Sequence, residues 1–323
     1  MTEFKGEKGA RSSPASRGDA PMTRDSRFRL VDGLLIALMA APLLCCLALK
    51  VLFTPESEGV DISGAMIYLT VPGFPLQDLV ITESQINSWA IMLSILGLCL
   101  YLTHGLTEKG GTKRQLIAEW IVEKCEGLVS ANMGERFAGY EYLIAAIMAL
   151  SALSSLSCLI GLFAPTGDVN VTAGWAILVF ALVTYTKLQG GFLNYLKGFT
   201  EPIPVFTPMN FISEFSLPVS MAFRHYGNVM SGAVISALIG AALRGLSKTL
   251  LGWIPVIGQI PLLQIGLPAI LSIYFDVFSG LMQAFIFAML TMLNVSGSFP
   301  QEAWEKRQEK KAIRKQRAAL AKA

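Results

Sequence analysis

The stretch Phe211-Ile-Ser-Glu-Phe-Ser-Leu-Pro-Val-Ser-Met-Ala-Phe-Arg-His-Tyr-Gly-Asn228 puts Arg224 in the middle of an apolar segment that runs on to Leu243. A charge held at bilayer depth is costly, so an arginine kept there marks a functional site with a partner. A helix over Asn210–Leu243 is about 50 Å long, beyond the ~30 Å hydrocarbon core, and has to tilt or break.

The rest of the chain repeats the apolar pattern. Of its 323 residues 53% are hydrophobic and 15% charged, and the mean hydropathy is +0.53. That composition excludes an ordinary soluble domain and fits a polytopic membrane protein. Apolar runs at Leu34–Phe53, Ile86–Thr103, Tyr142–Phe163, Val171–Thr186, Asn210–Leu243 and Leu263–Leu293 predict an all-α fold with six membrane-crossing helices. The last two are expected to be long, tilted and antiparallel. Lys113–Met133 differs, because Leu116, Ile117, Trp120, Ile121, Leu128 and Val129 recur with helical spacing. Lys113, Arg114, Glu119, Glu123, Lys124 and Glu126 take the other face, so this amphipathic helix lies on the membrane or against a partner rather than crossing.

Charge divides the chain into segments. Residues 1–33, rich in Ser, Gly, Arg and Pro, read as a disordered basic segment. Residues 34–53 then form a first span, an uncleaved anchor because no small-x-small cleavage site follows. Residues 54–85 carry Glu56, Glu58, Asp61, Asp78 and Glu83 but neither Lys nor Arg, and read as an outer-side loop. Residues 297–323 form a basic tail with Lys306, Arg307, Lys310, Lys311, Arg314, Lys315 and Arg317. Positive-inside bias puts both termini and the 104–141 loop in the cytoplasm and the 165–172 turn outside, with Arg244 and Lys248 as a mild exception. Trp89, Trp175 and Trp253 are expected at the outer interface. Beside a membrane the basic tail suits anionic lipid rather than nucleic acid.

Cys45, Cys46, Cys99, Cys125 and Cys158 form no CxxC pair, and His104 and His225 are the only histidines. The cysteines read as small apolar side chains; no metal site and no cofactor are expected, and no glycine-rich nucleotide loop is present.

Polar residues lead to Arg224 from two directions. Gln283 lies near mid-depth in the final span, where it can face Arg224, and Asp276 lies about 10 Å closer to the outside. Asp168 and Asn170, on the outer turn, continue that line. On the inner side follow Ser220, Ser216, Glu214, Ser213 and Asn210. Two polar half-pathways separated by a fixed positive charge suit an ion route interrupted at the membrane centre, where something mobile carries the ion past the arginine.

Three motifs resemble subunit a of F-type ATP synthase. Ser213-Glu-Phe-Ser-Leu-Pro-Val-Ser-Met-Ala-Phe-Arg-His-Tyr-Gly-Asn228 resembles that family's S-E-L-S-R-P-L-S-L-S-L-R-L-F-G-N signature. Gln283-Ala-Phe-Ile-Phe287 matches its Q-A-F-I-F motif, and Pro165-Thr-Gly-Asp-Val-Asn-Val-Thr172 looks like its P-T/S-A-D-x-N-V-T turn. The resemblance covers residues 86–296, the expected core. It implies that Arg224 is the stator arginine facing a ring of c subunits. There it draws each c-subunit carboxylate into its ionised form and blocks direct ion passage. Asn228 and Gln283 support the centre, Asp276 belongs to the outer half-channel with Asp168 and Asn170 nearer its mouth, and Ser220, Glu214 and Asn210 line the inner one. Gly227, Ser231 and Gly232 permit close packing. The implied partners are the c-ring, the peripheral-stalk b subunits, the F1 sector and the bilayer of a bacterial plasma membrane, with H+ or Na+ as the ion.

Ala233 stands where many relatives have Glu, His225 replaces a usual Leu, and Leu217 replaces a usual Arg or Lys. Plainer readings make Gln283 interhelical glue, Asp168 a helix cap, Glu214 a helix-end charge and His225 a packing residue. The alternative function is a self-contained secondary transporter with Arg224 in its substrate site, although no internal repeat supports it.

Overall fold

The computed structural model describes residues 24–53, 64–73, 78–106, 112–200, 203–251, 262–302, 304–306 and 309. Trp253, residues 1–23 and most of the basic tail lie outside the described residues. The chain is helical, with α1 (Arg24–Phe53), α2 (Glu83–Thr103), α3 (Lys113–Met133), α4 (Glu141–Leu156), α5 (Val169–Leu188), the short α6 (Phe192–Thr200) and α7 (Thr207–Leu251). The last span is α8 (Leu262–Ser272), a π-helical segment over Ile273–Ser279, and α9 (Gly280–Gly297). Six helical stretches are long and apolar enough to cross a membrane: Phe28–Phe53, Glu83–Thr103, Glu141–Ile160, Val169–Leu188, Pro204–Leu250 and Ala269–Gly297.

The last two spans, of which Asn210–Leu243 was expected to tilt or break, differ in their continuity. α7 stays one helix of 45 residues even though Pro218 lies inside it, where it removes the hydrogen bond to the Glu214 carbonyl. The final span keeps its continuity only through the seven-residue π segment. In the 54–85 region β1 (Ile67–Val71) and β2 (Leu79–Thr82) pair antiparallel, and the Glu83 N–H closes on the Met66 carbonyl at 2.7 Å.

α4, α5, α7 and α9 pack around one core, with Ile144, Val179, Met221, Phe287 and Met292 buried and Val129 and Met133 of α3 joining them. Without a hydrophobic drive between helices in lipid, small residues decide how closely backbones approach. Gly232 of α7 lies against Phe275, whose Cβ is 3.0 Å from where a Cβ at 232 would sit. A Cβ at Gly227 would meet nothing within 4 Å among the described residues, so its expected packing role has no partner among them, and Ser231 is exposed. Trp175 is half-buried. It packs edge-on against His225 and Phe287, at 5.7 and 6.3 Å between ring centroids, because the turn of α5 that carries it faces α7 and α9.

α1 begins at Arg24, ahead of the expected Leu34, and docks along α2. At Gly97 a Cβ would lie 2.9 Å from the Met39 backbone nitrogen, and Ser94 donates a hydrogen bond to the Met39 carbonyl. Charges hold both ends. Asp32 accepts two hydrogen bonds from Arg114 of α3 at 2.8 and 2.6 Å and lies 3.1 Å from His104 Nδ1. The Asp32 hydrogen bond holds the Arg114 guanidinium above the usual arginine range. At the other end Lys50 lies 3.2 Å from Glu83. These ties turn polar residues that read as a disordered leader into the first turns of a helix.

α3 spans Lys113–Met133 as expected, N-capped by Thr112, which accepts from the Gln115 N–H at 3.3 Å. Its Val129 and Met133 enter the core, whereas Leu116, Ile117, Trp120 and Ile121 are exposed. That half of the apolar stripe faces away from the chain's own core, as a helix lying on lipid or on a partner requires.

Candidate ion-translocation site

α7 sets the site through its rotation. Met221, Ala222 and His225 are buried, and His225 Nε2 lies 3.1 Å from the Ser151 hydroxyl, edge-on to Phe287. With that side turned inward, positions at three- and four-residue steps on the other side are turned out. Ser213, Ser216, Ser220, Arg224 and Ser231 are all exposed along it. Arg224 makes no ion pair and no hydrogen bond to any described residue. His225 is thus the packing residue that fixes which way its neighbour points.

A first cavity of about 370 Å³ opens beside the N-terminal part of α7, lined by Asn210, Ser213, Glu214, Lys187, Tyr195 and Ser298. Lys187, in the last turn of α5, donates to both Glu214 carboxylate oxygens at 2.7 and 2.5 Å. The Tyr195 phenol is pushed above its ordinary value by burial first and then by Glu214. Asn210 donates to the Phe199 carbonyl at 2.9 Å, tying α7 to α6. Glu214 is therefore not a lone helix-end charge. Lys187 escaped the sequence reading because a lysine at a helix C-terminus is already explained by the helix dipole.

A second cavity of about 290 Å³ lies beside α7 on the other side of Arg224 along the helix. Val229, Ala233 and Ser236 line it from α7, Ser272 and Asp276 from the final span, and Lys50 from α1. Ser272 donates to the Asp276 carboxylate. Asp168 stands apart from this lining. It caps α5, accepting from the Asn170 N–H at 2.9 Å, and it accepts from the Ser84 hydroxyl at 2.5 Å, while Asn170 is exposed.

Asn228 joins α7 to the final span: Ser279 donates to its Oδ1 at 2.7 Å, and its Nδ2 reaches the Ser279 carbonyl at 3.4 Å. Gln283 is buried, its Nε2 has no hydrogen-bond partner among the described residues, and no hydrogen bond joins it to Arg224. In an uninterrupted α-helix, positions 276 and 283 share a face. The π segment between them widens the turn and separates a cavity-lining Asp276 from a core-facing Gln283.

Residues 86–296, from α2 through α9, match the model of the family described as ATP synthase A chain. The chain belongs to that family. Among curated relatives it is 29% identical over 245 residues to "ATP synthase subunit a, sodium ion specific" of Propionigenium modestum, covering 71% of this chain and 76% of the relative. It is 30% identical over 196 residues to an ATP synthase subunit a of Anoxybacillus flavithermus, covering 56% and 77%. Similarity to an ATP synthase subunit a of Pelobacter propionicus reaches 32% over 220 residues, covering 66% and 86%. Within the ATP synthase A chain span lie Arg224, Asn228, Asp276 and Gln283 and every named lining residue of both cavities except Lys50 and Ser298. α1, Glu83 and the hairpin precede it.

Proposed function

We propose that this ATP synthase subunit conducts H+ or Na+ through two half-channels and hands each ion to a carboxylate on a rotating ring of c subunits. One observation carries the reading: Arg224 projects, with no partner among the described residues, from the outward side of an apolar helix, and a separate cavity with charged and hydroxyl groups in its lining lies on each side of it along the helix. A guanidinium in hydrocarbon needs a counter-charge, and a ring carboxylate from a neighbouring chain supplies one. The arginine favours ionisation of that carboxylate, which releases its ion toward the cavity of Asn210 and Glu214, the inner side. The next site re-binds an ion from the cavity of Asp276, the outer side. With a separate cavity on each side of Arg224, flow requires the ring to turn, which couples it to ATP synthesis in the F1 sector. Peripheral-stalk subunits hold the chain against the torque, and the exposed apolar stripe of α3 suits such a contact or lipid. Both termini are cytoplasmic in this arrangement.

A self-contained transporter draws no support from an arginine that faces away from the chain's own core. The test is ATP-driven ion pumping by the reconstituted complex, wild type beside Arg224→Ala, with subunit content checked on the same sample. Loss of pumping in an intact complex is the expected result. Normal pumping overturns the reading.

A further inference from the structure

We infer that α1 is part of the ion-uptake machinery: Lys50 is a positioning residue whose ammonium, paired with Glu83, sets the electrostatic field of the cavity that Asp276 lines. The inference rests on that cavity being the outer half-channel, and it concerns a helix that lies outside the family match.

Four observations meet at Lys50. It is the cation among the described side chains lining the second cavity, which Cys158 and Asp276 also line. Its Nζ lies 3.2 Å from Glu83 Oε1, and the Glu83 side chain is 4% exposed, so the carboxylate is withdrawn from water and held by that ammonium. Glu83 leads directly to Ser84, whose hydroxyl donates to Asp168 on the turn that ends at the cavity. Finally, Ala233 contributes no charge to the lining, so Asp276 has no second acid opposite it on α7.

Other titratable groups face this cluster from every side: Cys46 on α1, Tyr68 on β1, Cys158 beyond α4 and Asp168 at the head of α5. The Tyr68 phenol, outside the spans, is pushed up by burial first and then by the Glu83 carboxylate. Lys50, Glu83, Asp276 and Asp168 are the acidic and basic side chains of this cluster. A cation close to a carboxylate favours its ionised form, and removing the cation makes the acid hold its proton to higher pH.

The experiment uses the reconstituted complex at fixed total driving force, varying the pH on each side of the membrane separately and reading ATP synthesis. In Lys50→Gln the outer pH at which uptake falls off should rise by roughly 1 unit, with the inner-side profile unchanged. Glu83→Gln leaves the ammonium unneutralised and should move the same limb in the opposite direction. Lys50→Arg should restore the wild-type profile. If Lys50→Gln does not assemble, the Glu83→Gln shift decides the matter. Profiles that do not move, or that move equally from both sides, overturn the inference and reduce the pair to a clamp between α1 and α2. Such a result leaves the half-channel reading intact, because that reading fails only if the Arg224→Ala complex pumps.

Discussion

Gly280 of α9 lies so close to Ser155 of α4 that a Cβ at position 280 would sit 2.5 Å from the Ser155 Cβ. Real side chains do not approach that closely, so Gly280→Ala forces α4 and α9 apart at the place where the π segment hands over to α-helix. Overpacking of this kind costs about 1–3 kcal/mol. The thermal transition of the detergent-solubilised complex should fall accordingly, and adding Ser155→Gly should recover much of the loss. A Gly280→Ala complex as stable as wild type would mean the helices are not in contact there.

Arg224→Lys separates charge from geometry. A lysine keeps the positive charge but loses the planar fork of donors that can meet a carboxylate in two places. ATP-driven pumping is expected to drop by about tenfold or more with the subunits still assembled, a difference of about 1.4 kcal/mol in barrier. Wild-type rates in this variant would show that charge alone suffices.

Asp276→Asn removes the carboxylate that lines the second cavity together with Lys50. Ion flux through the intact complex should slow by about tenfold or more, in the range lost when a positioned proton carrier is removed. Rates equal to wild type across the outer pH range would rule out a relay role for Asp276.

Lys187→Met leaves Glu214 in the first cavity without its cation. The two side chains are 29% and 13% exposed, so water screens part of the loss and the expected destabilisation is about 1 kcal/mol. Lys187→Met/Glu214→Gln removes the unpaired charge as well and should recover most of it. Chemical denaturation or thermal melting of the three variants checks the cycle.

Ser279→Ala deletes the hydroxyl that Asn228 Oδ1 accepts at 2.7 Å, one turn along α7 from Arg224. The expected stability loss is about 1 kcal/mol. Pumping should fall less than in Arg224→Ala, since the arginine remains. Equal loss in the two variants would mean that Ser279 takes part in ion transfer itself.

The spans were legible because lipid demands long apolar runs, and α3 was legible because its charges and apolar residues alternate at helical spacing. Arg224 stood out for the same reason, as a charge without an excuse. What could not be read was rotation. Counting residues assumes 3.6 per turn throughout, so Asp276 and Gln283 were expected on one line with Arg224. The π segment instead leaves Gln283 facing the core. Lys50, Glu83 and Lys187 were missed because each sits at the end of an apolar run, where a charge normally needs no further explanation. Their partners lie on other helices, 33 residues away for Lys50 and 27 for Lys187. The start of α1 was hidden too, since its first turns are polar and stay helical through Asp32, Arg114 and His104.

A π segment is an α-helix that has taken in an extra residue without losing its axis. The extra residue is absorbed in the wider π turn, so the α-helical stretches on either side keep their facing. Removing a single residue from Ile273–Ser279 would close the segment to ordinary α-helix with α8 and α9 still roughly in phase. The change would fall on the side chains of the segment itself, Asp276 among them. The final span thus holds a place where a residue can be gained or lost beside the cavity without redesigning the end that packs the bundle.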